Sequence, residues 1–164
     1  MIRRKIIFFE EHQRKVTAKH MQYQKLSDNK YMARILKDEE VMKTLLSFFE
    51  KIGAKSATFS AIGAVKDTVI AYYNLETKQY EKKTFEGSFE LVSLTGNLGE
   101  LNGKPALHIH LVIADKEHKA FGGHAFEIPV SATAEVFIET FEENLQRLPD
   151  DETGLNLLNL SESG

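Results

Sequence analysis

Three histidines recur within the stretch ALHIHLVIADKEHKAFGGH, at positions 108, 110 and 124. Imidazole is the commonest metal ligand in proteins, and three imidazoles with one open position form the donor set of a catalytic rather than a structural zinc centre. The chain contains no cysteine. Disulfides are therefore excluded, and any metal must be held by nitrogen and oxygen. The competing reading is that His108 and His110 are ordinary strand histidines, half-buried and hydrogen-bonded, and that Gly122 and Gly123 only mark a bend. Residue types alone leave both open.

Other chemistry around this stretch is sparse. Glu90 and Glu100 are candidates for a fourth ligand or an acid/base group, and spacing does not choose between them. Asn97 could hydrogen-bond a ligand, or could be a turn residue that tolerates left-handed geometry. Ser60, Ser93 and Thr95 have no His/Asp context that makes a nucleophile. The glycines of AIGAV and TGNLGELNG neither open a helix as GxGxxG nor accompany the lysine of a P-loop, so nucleotide binding is not indicated.

The histidines must be positioned by strands. On a strand, residues two apart lie about 6.6 Å apart on one face, so His108, His110 and Val112 project together. Leu107, Ile109, Leu111 and Ile113 form the opposite, apolar face, whose burial fixes the register. DKEHK predicts a reversal that brings His124 back on an adjacent antiparallel strand and leaves His118 in solvent. Gly122 and Gly123 suggest a bulge, or a place where something approaches the backbone closely. Asn102-Gly103 predicts a type I′ hairpin joining the strand of Asn97 to that of His108.

Elsewhere KYMARILK predicts a first strand, and DEEVMKTLLSFFEKIG a helix. Asp38 is placed as its N-cap, with Glu39 and Glu40 in the first turn and Gly53 as the stop. Val41, Leu45, Phe48, Phe49 and Ile52 share one stripe, so the helix covers a sheet. From residue 56 the chain reads as seven short strands, ATFSAIGAV, TVIAYYN, QYEKKTF, FELVSLTGNL, PALHIHLVIA, FGGHAFEIPV and AEVFIETF, with local antiparallel connections. In the last of these Val136 and Ile138 oppose Phe137 and Phe141, so both faces want cover. The tail LPDDETGLNLLNL predicts an apolar segment docking on the body or on another subunit.

With 164 residues and no repeats or low-complexity linkers, one domain with a real core is expected, burying roughly two thirds of its unfolded surface. Residues 1–27 are assigned to an N-terminal basic extension and 28–164 to the domain. The extension carries Arg3, Arg4, Lys5, Arg14, Lys15 and Lys19 against Glu10 and Glu11, while the whole chain has a net charge of -3, so the body is the more acidic part. The arm could touch nucleic acid, or be a solvated extension ahead of a true start at Met21. No apolar run is long enough to cross a bilayer and the N-terminus lacks a secretory core, so a cytoplasmic location is expected. His12 and His20 fall in the extension, away from the site.

AIGAV, GSFELVSLTGNLGELNGKPALHIHLVIAD and AFGGH together resemble the PPC (plants-and-prokaryotes-conserved) domain, whose prokaryotic members include PD1-like proteins provisionally named as DNA-binding. The resemblance runs from about Lys30 to about Leu160. It implies an α+β fold, a largely antiparallel sheet covered by a helix, assembled as a homotrimer and similar in fold type to acetolactate decarboxylase. It also implies that the matching histidines, His108, His110 and His124, hold zinc. Plant members join AT-hooks to this domain and recruit partners through Gly-Arg-Phe-Glu-Ile-Leu. Here the matching segment is GSFELV, with Ser88 in place of the arginine, and no Arg-Gly-Arg-Pro hook is present.

Two functions follow. One is a homotrimeric binding or regulatory module with a three-histidine zinc site and DNA as a candidate partner, although the acidic body and missing hook weaken the DNA part. The alternative is a zinc-dependent small-molecule enzyme, lyase-like or decarboxylase-like, using the same histidines, with Asn97, Glu90 and Glu100 as candidate ligand-binding groups.

Overall fold

A computed structural model of the chain describes residues 21–160. Most of the basic extension, including His12 and His20, lies outside the described residues. The elements are β1 (Gln22–Lys25), β2 (Lys30–Leu36), α1 (Val41–Ile52), β3 (Ser56–Asn74), β4 (Gln79–Leu101), β5 (Lys104–Ala114), β6 (Ala120–Glu127), β7 (Val130–Phe141), β8 (Gln146–Pro149) and β9 (Asn156–Leu158). They form a nine-stranded sheet in the order β1-β2-β7-β3-β6-β5-β4-β8-β9, antiparallel except for β8 on β4. The expected mostly antiparallel sheet with one helix is therefore found. Strand β1, inside the stretch assigned to the extension, pairs with β2 and belongs to this sheet. No helix among the described residues is long and apolar enough to cross a membrane.

The helix forms where its apolar stripe predicts but starts later. Asp38 is not its cap: φ there is 69°, and its carboxylate pairs with Lys66. Glu40 caps instead, accepting from the amides of Met42 at 3.2 Å and Lys43 at 2.9 Å. Glu39 accepts from the amides of Met21 and Leu36, ahead of the helix. The reason is tertiary. Backbone bonds from Asp38 to Val130 and from Val41 to Ile128 hold residues 38–41 against the entry to β7, so the first turn cannot begin earlier. Gly53 ends the helix in the left-handed conformation, as expected.

Two pairs of expected strands are single long ones. ATFSAIGAV and TVIAYYN merge into β3, and QYEKKTF and FELVSLTGNL into β4. The turn-like residues between them make bulges, at Ala61/Gly63 and Lys66/Thr68, rather than reversals. Bulges bend and twist a strand without ending it. The bent β3–β4 hairpin then closes on itself. Its distal half pairs through Val69–Ala71 with β6, β6 pairs with β5, and β5 returns to the proximal half of β4.

The core lies between α1 and one face of this sheet. Val41, Leu45, Phe48 and Phe49 pack with Ile35, Phe59, Leu94, Leu98, Ile109, Val136 and Ile138, all buried. Each such side chain contributes about 1.5–3 kcal/mol relative to exposure.

Closure depends on Gly123, where β6 threads between β5 and β3. Its φ is 157°, and a Cβ there would lie 2.7 Å from the carbonyl oxygen of Ala71. The close approach inferred for this glycine pair is thus by the neighbouring backbone. We expect Gly123→Ala to push β6 away from β3 and destabilise the fold by about 1–3 kcal/mol, measured by urea unfolding; an unchanged midpoint would show that β6 has slack.

Candidate metal centre

The alternation of β5 is realised from His108 onward, while Leu107, expected on the apolar face, is half-buried and lines the cavity beside His108. Ile109, Leu111 and Ile113 are buried, whereas His108, His110 and Val112 face the other side, His110 and Val112 in solvent. The Asn102-Gly103 turn has φ of 52° and 75°, the positive pair that type I′ requires. It sets β4 beside β5 so that Asn97 lies opposite His108 and Thr95 opposite His110. The Asp115–Lys119 reversal, closed by Asp115 accepting from the amides of Glu117 and Lys119, leaves His118 exposed. It returns β6 with His124 directly opposite His110.

The three imidazoles form a nearly equilateral triangle. Ring centroids are 5.1 Å apart for His108–His110, 5.1 Å for His108–His124 and 5.3 Å for His110–His124. Each offers a nitrogen, and these lie within 4.8 Å of one another. A tetrahedral ion with bonds of about 2.0–2.1 Å needs nitrogens roughly 3.3 Å apart, a gap that modest ring rotations close. The donor set suits a transition ion such as zinc and offers nothing to a hard cation that requires oxygen.

Glu90 and Glu100 do not join the cluster. Glu90 pairs opposite Ala114 and lies in a shallow groove with Ile62 and Glu135. Glu100 is one residue out of phase with Asn97 on β4 and accepts from the side-chain amide of Asn144 at 3.1 Å. Asn97 does reach the site. It is an extended strand residue whose Oδ1 accepts from Nη2 of Arg147 at 2.6 Å.

Arg147 is the principal residue that sequence reasoning misses. It sits on β8, which pairs with β4 at Glu100 and Leu101, and only 9 % of it is exposed. Gly99 permits this docking, since a Cβ there would lie 2.5 Å from the carbonyl oxygen of Leu145. Tyr80, at the tip of the β3–β4 hairpin, stacks 4.8 Å from His124 and 4.7 Å from Tyr73. Tyr73 donates to the carbonyl of Thr153, and Lys78 to that of Asp151, so the hairpin tip and the tail are tied together over the site. Between them lies a cavity of about 240 Å³ whose lining includes Tyr80, His108, His124 and Arg147. The available signal was faint: Arg147 is the sole arginine after Arg34 in a chain that otherwise uses lysine.

The electrostatics keep His108 and His124 in their metal-binding form. Burial, and then the charge of Arg147, lower the pKa of His108. His124 is lowered from 6.5 to about 4, first by burial and then by the neighbouring imidazoles and Arg147. Neutral imidazole is the ligating species.

The sequence profile of the Plants and Prokaryotes Conserved (PCC) domain matches residues 22–142. No curated protein matches the chain. Among solved structures, a Bacteroides thetaiotaomicron protein provisionally named as DNA-binding superposes with a TM-score of 0.82 at 29% identity, covering 86% of this chain and 98% of that one. A plant- and prokaryote-conserved (PPC) protein of Pyrococcus horikoshii gives 0.76 at 31% identity, covering 87% and 96%. A metal-containing protein of Archaeoglobus fulgidus gives 0.76 at 31%, covering 87% and 99%.

A pH dependence follows for the metal-free protein. Because the folded pKa of His124 is depressed, its contribution to stability is complete above the unfolded value near 6.5 and is lost as pH falls toward about 4. We expect its ring protons to titrate near pH 4 by NMR and His124→Gln to flatten the decline in unfolding free energy across that window. Titration near 6.5 would contradict this.

Proposed function

We propose, on the premise that this chain belongs to the Plants and Prokaryotes Conserved domain family, that it is a homotrimeric binding module in which His108, His110 and His124 hold one zinc ion. The observation that carries this reading is the triangle of imidazoles, fixed by β5 and β6. A solved relative described as metal-containing adds support. When bound, zinc supplies Lewis acidity. The chain's own residues do the rest: the buried face of β5 holds His108 and His110 in place, β6 presents His124, and Tyr80 with the tail shields one side from water.

Trimerisation is supported by the sheet face turned away from α1. Met32, Ile62, Val112 and Phe137 are 43, 59, 37 and 38% exposed, and Met32 and Phe137 are direct cross-strand neighbours. The long apolar strand β7 thus has a second face that the chain's own helix does not cover. The further likeness to the acetolactate decarboxylase fold type belongs to the same proposal. A second reading, a zinc-dependent small-molecule enzyme, is favoured by one observation: the histidines border a cavity that also presents Tyr80 and Arg147.

DNA association is the weaker part of the reading. Two observations bear on it: a solved relative is provisionally named as DNA-binding, and the net charge of this chain is -3, which gives phosphates little overall attraction.

After exposure to zinc and desalting, elemental analysis should find about one zinc per chain, and light scattering a particle of three times the 18.6 kDa chain mass. The double variant His108→Ala/His110→Ala should lose the metal. A wild-type protein that keeps none would refute the centre. In a gel shift at physiological salt we expect, at most, weak and salt-sensitive retention of duplex DNA; tight, sequence-specific retention would reverse that judgement.

A further inference from the structure

We propose that Arg147 anchors a carboxylate subsite beside the three histidines, shaped for a small monocarboxylic acid. The proposal rests on the metal reading above and names what that site would receive. It begins from an unbalanced charge. Arg147 is nine-tenths buried, yet its acceptors among the described residues are neutral: Asn97 Oδ1 at 2.6 Å and the Asn156 carbonyl at 3.1 Å. Its Nε is buried with no partner, and none of the four ion pairs among the described residues involves it. A guanidinium has five N–H donors, so three here have no acceptor among the described residues. A buried cation without a counter-charge is costly, and an anion that accepts from it relieves that cost.

The described residues do not supply that anion. No acidic residue lines the cavity that Arg147 shares with His108, His124 and Tyr80. A metal ion on the three imidazoles would add positive charge to the same space, strengthening the demand. A single small molecule can reach both ends. Asn97, which holds the guanidinium, is the cross-strand neighbour of His108, and such pairs are about 5 Å apart.

The chemistry favours carboxylate. A planar guanidinium fork matches its two oxygens, and Arg–carboxylate pairs gain strength from parallel charge-assisted hydrogen bonds. Leu101, Leu107 and Leu155 give the cavity apolar walls, suited to a short carbon skeleton. A nucleic-acid phosphate is disfavoured, because the guanidinium lies under the tail rather than on an open face. Arg147 lies on β8, C-terminal to the matched residues 22–142.

The test is an NMR titration of the full-length, zinc-loaded, ¹⁵N-labelled protein with propionate, and separately with inorganic phosphate, following arginine Nε–H signals. The Arg147 signal, assigned by its loss in Arg147→Gln, should shift saturably with a dissociation constant on the order of 1 mM or below. Affinity for propionate, read at the histidine ring protons, should fall about tenfold or more in Arg147→Gln, as expected for losing a charge-assisted bond. Arg147→Lys, which keeps the charge but not the fork, should fall between the two. No saturable shift in the wild type overturns the proposal without needing any variant to fold. Tighter binding of phosphate than propionate, or equal propionate affinity in Arg147→Gln, also overturns it. Zinc content measured on the same samples separates this failure from failure of the metal centre: zinc retained with no propionate binding removes the subsite alone.

Discussion

The burial of Ile109, Leu111 and Ile113 against α1 is the constraint on which the site depends. A strand with period two cannot slip by one residue without exchanging its faces. The hydrophobic energy of three side chains, several kcal/mol in total, therefore holds His108 and His110 out of the core and on the cavity side. Nothing in the imidazoles themselves need favour that orientation. The same locking extends outward by register: Leu94 and Leu98 of β4 are buried in the same core, which leaves Asn97 on the face of the histidines, and the direct pairing of His110 with His124 adds the third ring.

Closure of the long hairpin supplies the second level of organisation. The bulges in β3 and β4 let one hairpin serve both as the floor of the core and, through its tip, as a wall of the site. A straight hairpin of this length would carry Tyr73 and Tyr80 far from β6. Bent, it brings Tyr80 against His124, with Tyr73 stacked behind it, and gives the tail something to bind, through Thr153 and Asp151. The polar cavity is thus a product of backbone curvature as much as of residue choice.

What was legible in the sequence follows this division. The face pattern of β5, the Asn102-Gly103 turn and the apolar stripe of α1 are local periodicities, and each holds in the structure. The start of the helix was misjudged because backbone bonds to residues 128 and 130, far along the chain, decide it. The merging of four expected strands into two escaped notice because Gly63 and Asp67 look like turn residues whether they reverse a strand or only bulge it. Glu90 and Glu100 were plausible by proximity in sequence, but phase and distance along β4 remove them. Arg147 lies fifty positions from Asn97, and no spacing rule connects a tail strand to a residue it meets only in the finished sheet.

The order of the elements along the chain adds a temporal dimension. Every strand that builds the histidine triangle precedes residue 128, whereas Arg147 and the ribbon that covers the cavity come after β7. Domains emerge from the ribosome N-terminus first. A nascent chain therefore carries all three imidazoles before the guanidinium and the covering ribbon have been synthesised, so the cation and the roof are the last parts of the pocket to become available.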